Sequence, residues 1–414
     1  MTDNDLAILG GNKSITSDGR FLNPKITVDI EKAIIEQLHE TISIYDSSGI
    51  FEKLETAFAK YHNKKYALLT NSGTSAIWSM YEGANLNEGD EIICPSYTFF
   101  ATNTPILFTG ATPVFIDCNH IGNIDVDEVE ASITTRTKAI VVTHMWGYPC
   151  EMDKLRNIAD KYNILLMEDC SHAHGASYKG KKCGEWGDVA AFSLQGTKIM
   201  TGGEGGILIT SNRDIYEKAI FLGHYNKRCK QQIRKDSDMY KYSITGKGMK
   251  LRAHPLAARL SYEQFKFLDK MTKQKQIFAE KVIRELSECT AIDIINSEIG
   301  AQNSWYAMVM RYQGDSLFGV KRERFVEALI AEGAVEVDIP GATCPSQMLE
   351  LFLAPGEVFK NYTSPLINGK FENSTSFYNS IIKIPIWFDE NDSEIVNEYI
   401  QAFKKVSENI DKLR

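Results

Sequence analysis

Short apolar runs alternate with longer amphipathic stretches through the first half of the chain. VDIEKAIIEQLHETI carries apolar residues at helical spacing and predicts a helix, and a second is predicted from about Ile50 to Tyr61. From Tyr66 the rhythm changes: YALLT, then a helix from about Ser75; EIICP, then a helix from about Phe100; PVFID; KAIVVTH; ILLMED. Runs such as IVVTH and ILLMED are apolar almost throughout, as strands covered on both faces must be. The pattern predicts an α/β fold built on a mostly parallel sheet with helices on both faces. The loops that leave such strands set polar residues along one edge, and chemistry is expected there.

VAAFS, a glycine turn and GILIT read as two further strands, which brings the sheet to seven. HYNKRCKQQIRKDSDMYKYSITGKGMK reads as a long basic connection. A helix predicted from about Pro255 to Lys273 leads into a smaller C-terminal α/β unit containing SWYAMVMRY, RERFVEALIAEG and SIIKIPI. The expected division is 1–254, an N-terminal arm with the large domain, and 255–414, the linking helix with the small one. MTDNDLAILGGNKSITSDGRF reads as a polar, extended leader.

Composition narrows the partners. The 414 residues are 43% hydrophobic and 24% charged, an ordinary globular balance with room for more than one core. A net charge of −8 weighs against nucleic acid and anionic membrane, which leaves small ligands as the expected partners. The eight cysteines have neither a CxxC pair nor another metal-ligand spacing; reduced thiols in a cytoplasmic protein without a metal are expected. The leader has no basic segment followed by an apolar core, and no run approaches the roughly 20 apolar residues of a membrane span, so neither export nor membrane insertion is expected.

Several residues at the predicted polar edge could carry chemistry. NSGTSAI follows the strand YALLT and opens a helix, so its N–H groups and hydroxyls suit a phosphate, although the same residues also make an ordinary N-cap. In MEDCSHAH, Asp169 ends a buried strand, where a carboxylate can hold a cationic ring nitrogen or simply cap the next turn. His172 follows three residues later; a lone histidine is more often a structural hydrogen-bonding group. Lys198, in FSLQGTKIMTGGEGG, is either an exposed turn lysine or an amine able to form a Schiff base.

The joint order decides between these readings. NSGTSA, CPSYTFFAT, GATPVFID, MEDCSHAHGA and FSLQGTKIMTGGEGG together resemble the DegT/StrS family of pyridoxal-phosphate-dependent sugar aminotransferases, most strongly from about Leu54 to Gly206. That resemblance implies the type I aminotransferase fold and a homodimer with shared active sites. It implies that Lys198 forms the Schiff base with pyridoxal 5'-phosphate, Asp169 pairs with the pyridinium nitrogen and Phe99 stacks on the ring. Gly73, Thr74 and Ser193 are implied to bind the phosphate, and His172 to lie beside the phenolic oxygen. Where many members have G-Y-N-Y-R, this chain has GMKLR, so that Lys250 replaces an asparagine that reaches the phosphate in the neighbouring subunit. A lysine there can serve as a point charge, or be simply a solvated charge of the basic connection.

The implied reaction takes an amino group from glutamate or glutamine, passes through pyridoxamine 5'-phosphate, and delivers it to a keto-sugar, as sugar phosphate or nucleotide sugar, or to a keto-cyclitol. GMKLRAHPLAA resembles members acting on sugars or cyclitols without a nucleotide. A second possibility is a non-catalytic regulator that binds cofactor or ligand on the same fold. A Rossmann dehydrogenase ranks last, because no GxGxxG follows the first strand.

Overall fold

The computed structural model describes residues 5–367 and 369–414. Its central sheet contains β1 (Tyr66–Thr70), β2 (Glu91–Pro95), β3 (Thr112–Ile116), β4 (Thr137–Thr143), β5 (Leu165–Asp169), β6 (Val189–Ser193) and β7 (Gly206–Thr210), in the order β1-β7-β6-β5-β4-β2-β3. Strands β2 to β6 run parallel, and β7 is antiparallel to both β6 and β1. Both faces are covered, and alternate residues serve opposite sides. Leu68, Cys94, Val141 and Met167 join one core with Ala76, Ile77 and Met80, whereas Leu69 packs with Phe51, Leu54 and Phe58, and Ile93, Val142 and Leu166 with Met152 and Leu155.

Helix α1 spans Val28–Glu40, α2 Gly49–Tyr61 and α3 Gly73–Gly83. The helix expected from Phe100 is a 3-10 turn at Phe100–Thr102 followed by a short helix at Thr104–Thr109. The single helix expected over 255–273 is two: α4 (Pro255–Phe265) and α5 (Leu268–Leu286). Gln264 holds the break, because its Nε2 donates to the Thr201 carbonyl at 2.6 Å while Phe267 N–H closes a tighter turn onto the Gln264 carbonyl at 2.9 Å.

The smaller unit is built on an antiparallel sheet, β8 (Ile292–Ile294), β9 (Met308–Tyr312) and β10 (Ile381–Ile384), with β9 central. Phe278 and Val282 of α5 and Tyr399 and Phe403 of the helix Ser393–Glu408 pack into its core. The leader, expected to be polar and extended, is packed against the fold. Leu6 and Ile15 are buried in this C-terminal core, and the buried Glu332 carboxylate accepts from Ala7 N–H at 2.7 Å and from Ser14 N–H at 2.9 Å. The basic connection also contains a helix, Lys227–Gln232, whose Arg228 is buried against Glu55 at 2.9 Å.

Candidate active site

The C-terminal ends of β4, β5 and β6 converge on one cleft of about 530 Å³, within the range of small-molecule sites. Gly73, Thr74, Phe99, Asp169, His172, Ser193 and Lys198 all line it. Register explains the meeting of the strand-end residues: Thr143 pairs with Asp169, and Gly206 pairs with both Ser193 and Thr70, which leads into the turn before α3.

That turn is tightly built. Ser72 caps α3 by accepting from Ser75 N–H at 3.0 Å, and Gly73 lies so close to β6 that an added Cβ would stand 2.6 Å from Ser193 Cβ. The hydroxyl-bearing Thr74 is exposed at the first turn, where a helix presents unpaired N–H groups and a partial positive charge.

Asp169 is 3% exposed. Its Oδ2 accepts from Thr102 Oγ1 at 2.7 Å and its Oδ1 from Ser171 N–H at 3.0 Å, and Thr102 continues to the hydroxyls of Thr98 at 2.9 Å and Thr143 at 3.1 Å. Phe99 is 38% exposed, ending a short strand, Tyr97–Phe99, that pairs with Thr343–Pro345. Its side chain lines the cleft.

Lys198 sits in the loop after β6, its carbonyl accepting from Asn23 Nδ2 at 2.7 Å. Its Nζ stands 4.4 Å from the centre of the Tyr306 ring. Tyr306 lies flat on His172, with ring centres 4.0 Å apart and planes 5° from parallel, and Trp146 stacks beyond. Trp146 has a φ of +57°, a costly backbone for a bulky residue, and from it donates its N–H to His172 Nδ1 at 3.3 Å. Burial, then the Lys198 charge, push the His172 pKa well below the ordinary value, so the ring is neutral and its accepting Nδ1 leaves the proton on Nε2. Burial alone would raise the Tyr306 phenol, but the Lys198 charge, the Thr197 hydroxyl at 2.9 Å and the Lys383 charge outweigh it and lower its pKa.

Lys250 lies outside this cleft, exposed on the basic connection. Its charge, with those of Arg252 and Lys227, reaches Tyr45. Conversely, Tyr306, Trp146, Lys383 and Asp338 line the cleft without having been singled out from the sequence. SWYAMVMRY and SIIKIPI read only as elements of a separate unit, and nothing in a local pattern shows that they fold back onto residues more than a hundred positions away.

A neighbouring cluster, His144, Glu168 and Cys170, is fully buried and close enough to hold an ion. The carboxylate and the imidazole are otherwise engaged. Glu168 accepts from Gly184 N–H at 2.7 Å, Gly187 N–H at 2.5 Å and His144 Nε2 at 3.0 Å, while His144 Nδ1 accepts from Cys150 N–H at 3.0 Å. This network ties β5 to the loop before β6.

The cleft suits pyridoxal phosphate in its donor set: a helix N-terminus with room made by Gly73, an anchored buried carboxylate, an uncovered aromatic ring and a primary amine. Comparison with known proteins agrees. The model of the DegT/DnrJ/EryC1/StrS aminotransferase family matches residues 28–401. An uncharacterised protein of Methanocaldococcus jannaschii is 32% identical over 90% of this chain and 96% of its own. A protein of Micromonospora echinospora, assigned provisionally by name as an L-glutamine:3-amino-2,3-dideoxy-scyllo-inosose aminotransferase, is 30% identical over 84% of this chain and 82% of its own. Among solved structures, an aminotransferase from Psychrobacter cryohalolentis superposes with a TM-score of 0.81 at 25% identity, covering 94% of this chain and 98% of that one.

Fold and site together define a pyridoxal-phosphate-dependent aminotransferase of the sugar-modifying class. The chain belongs to the DegT/DnrJ/EryC1/StrS aminotransferase family. No helix among the described residues is long and apolar enough to cross a membrane.

Proposed function

We propose that the chain moves an amino group from glutamate or glutamine to the carbonyl of a keto-sugar or keto-cyclitol. The observation that carries this reading is the convergence of Lys198, Asp169, Phe99 and the Gly73–Thr74 turn on one cleft. The cofactor, when bound, supplies the electron sink for breaking and remaking a C–H bond.

In this reading the protein supplies position and proton transfer. The α3 N-terminus, Thr74 and Ser193 hold the phosphate. Asp169, fixed by Thr102 and Ser171, keeps the ring nitrogen protonated. Phe99 would stack on the ring, and the neutral His172 would offer its Nε2–H to the phenolic oxygen. Lys198 would hold the cofactor through its side-chain amine, and the same amine would serve as the proton carrier. Lys250 serves the phosphate of a second subunit, so the active unit is a homodimer. The M. echinospora relative, aligned over most of this chain, supports a cyclitol or sugar acceptor and glutamine as donor.

The test is to load the protein with pyridoxal phosphate, add glutamate or glutamine, and follow the bound-cofactor absorbance. Loss of that band with donor, and its return with a keto-sugar or keto-cyclitol, is expected. A band unchanged by every amino donor would favour a ligand-binding regulator instead.

A further inference from the structure

The cleft holds a second ammonium, placed there by the small domain. Lys383 lies in β10 between Ile382 and Ile384, whose side chains are buried in the small-domain core, and by the alternation of a strand it projects the opposite way. It and Asp338 line the cleft together with Lys198. Paired backbone bonds, Asp338 N–H to Lys383 O at 3.0 Å and Lys383 N–H to Asp338 O at 2.9 Å, fix the two residues side by side, and Lys383 Nζ meets Asp338 Oδ2 at 2.8 Å. Nζ is also 5.9 Å from the centre of the Trp146 ring, which stacks on His172.

The partners are unequally sheltered: the Lys383 side chain is 25% exposed and that of Asp338 54%. An ion pair with one partner this open to water is weak, so another carboxylate can replace Asp338 without the lysine ever standing unpaired. Under the reading above, Lys198 is committed to the cofactor. Lys383 is then the one remaining lysine or arginine lining the cleft among the described residues. A transaminase must admit, in turn, an amino acid with its carboxylate and a polyhydroxylated carbonyl compound. A lysine carrying its own replaceable counter-ion meets both needs.

We propose that Lys383 binds the α-carboxylate of the amino donor, and that Asp338 is the counter-ion this carboxylate displaces. The proposal rests on the aminotransferase reading. Its test compares cofactor-loaded wild type, Lys383→Gln, Lys383→Arg and Asp338→Asn. The donor half-reaction is followed by absorbance with L-glutamate and L-glutamine, and binding of maleate, an unreactive dicarboxylate, is followed by calorimetry. Lys383→Gln is expected to raise the half-saturating donor concentration about tenfold or more with little change in limiting rate, as loss of a charged contact made equally in ground and transition state requires. Lys383→Arg restores most of the affinity, and Asp338→Asn tightens maleate by removing its competitor. Unchanged donor and maleate affinity in Lys383→Gln would overturn the assignment, as would weaker maleate binding in Asp338→Asn. Lys383-dependent binding of inorganic phosphate in place of maleate would also overturn it, in favour of a phosphorylated acceptor. If wild type responds to neither donor, the aminotransferase reading fails by itself, and Lys383-dependent maleate binding then still distinguishes a carboxylate site from none.

Discussion

Thr102 donates a 2.7 Å hydrogen bond to the carboxylate of Asp169 from a chain of threonine hydroxyls that includes Thr98 and Thr143. The bond fixes one carboxylate oxygen while Ser171 N–H fixes the other, so the acid is oriented before any ligand arrives. Thr102→Val keeps the shape and removes the donor. It is expected to lower cofactor affinity about tenfold and stability by about 1–3 kcal/mol, since a buried charged acceptor loses a partner. Cofactor titration by fluorescence and urea unfolding measure the two effects.

Gly73 permits the approach of α3 to β6. In Gly73→Ala the new methyl would stand 2.6 Å from Ser193 Cβ, with backbone behind it, so the turn must shift. Cofactor retention on dialysis is expected to fall, with unfolding weakened by about 1–3 kcal/mol, the usual cost of overpacking. Retention equal to wild type would show that the phosphate is held elsewhere.

Tyr306 joins Lys198 to His172 through its ring and Thr197 through its hydroxyl. Tyr306→Phe keeps the stack and loses the hydroxyl; a fall in limiting rate of about tenfold is expected, with Tyr306→Ala worse because the His172 ring is then uncovered. Single-turnover absorbance with donor measures both. Equal rates in all three proteins would remove Tyr306 from the site.

Stability should depend on acid through buried neutral histidines. Burial first, then nearby positive charges, lower the pKa of His62, His172, His174 and His224, with His174 pushed down to about 3. In the unfolded chain each titrates near 6.5. Below that pH the unfolded chain takes up protons that the folded chain refuses, so stability is full above 6.5 and falls as the pH drops toward the folded values. Each such group contributes a slope of about 1.4 kcal/mol per pH unit. Urea midpoints at pH 7.5, 6.5 and 5.5 check this; a midpoint unchanged down to 5.5 would contradict it.

How far the sequence revealed this site follows from where each residue sits. Asp169, Ser193 and the Gly73 turn stand at the ends of strands whose apolar runs are unmistakable, and parallel strands bring those ends together whatever lies between. Lys198 follows β6 within five residues, so it too was legible. Tyr306, Lys383 and Asp338 were not: the strand pattern around Lys383 shows which residues face the core and not what lies opposite the outer face, and Tyr306 and Asp338 lie outside the named strands, where no period marks them. The break between α4 and α5 escaped for a related reason: no glycine or proline marks it, and the side chain that holds it, Gln264, bonds to Thr201 across the fold. The burial of Leu6 and Ile15 likewise depends on Glu332, far along the chain, taking up the leader's N–H groups.

A lowered amine pKa by itself would have pointed elsewhere. Burial pushes Lys275 down to about 7, yet it is 1% exposed, donates to the Trp305 carbonyl at 2.8 Å and does not line the cleft. Lys198 is instead distinguished by its position among cleft residues. The most direct measurement is therefore to load the protein with pyridoxal phosphate, reduce with borohydride, digest, and locate the pyridoxyl-modified lysine by mass spectrometry. Modification at Lys198, abolished in Lys198→Ala, is the expected result; modification at Lys275 or Lys383 in its place, or none, would contradict the account.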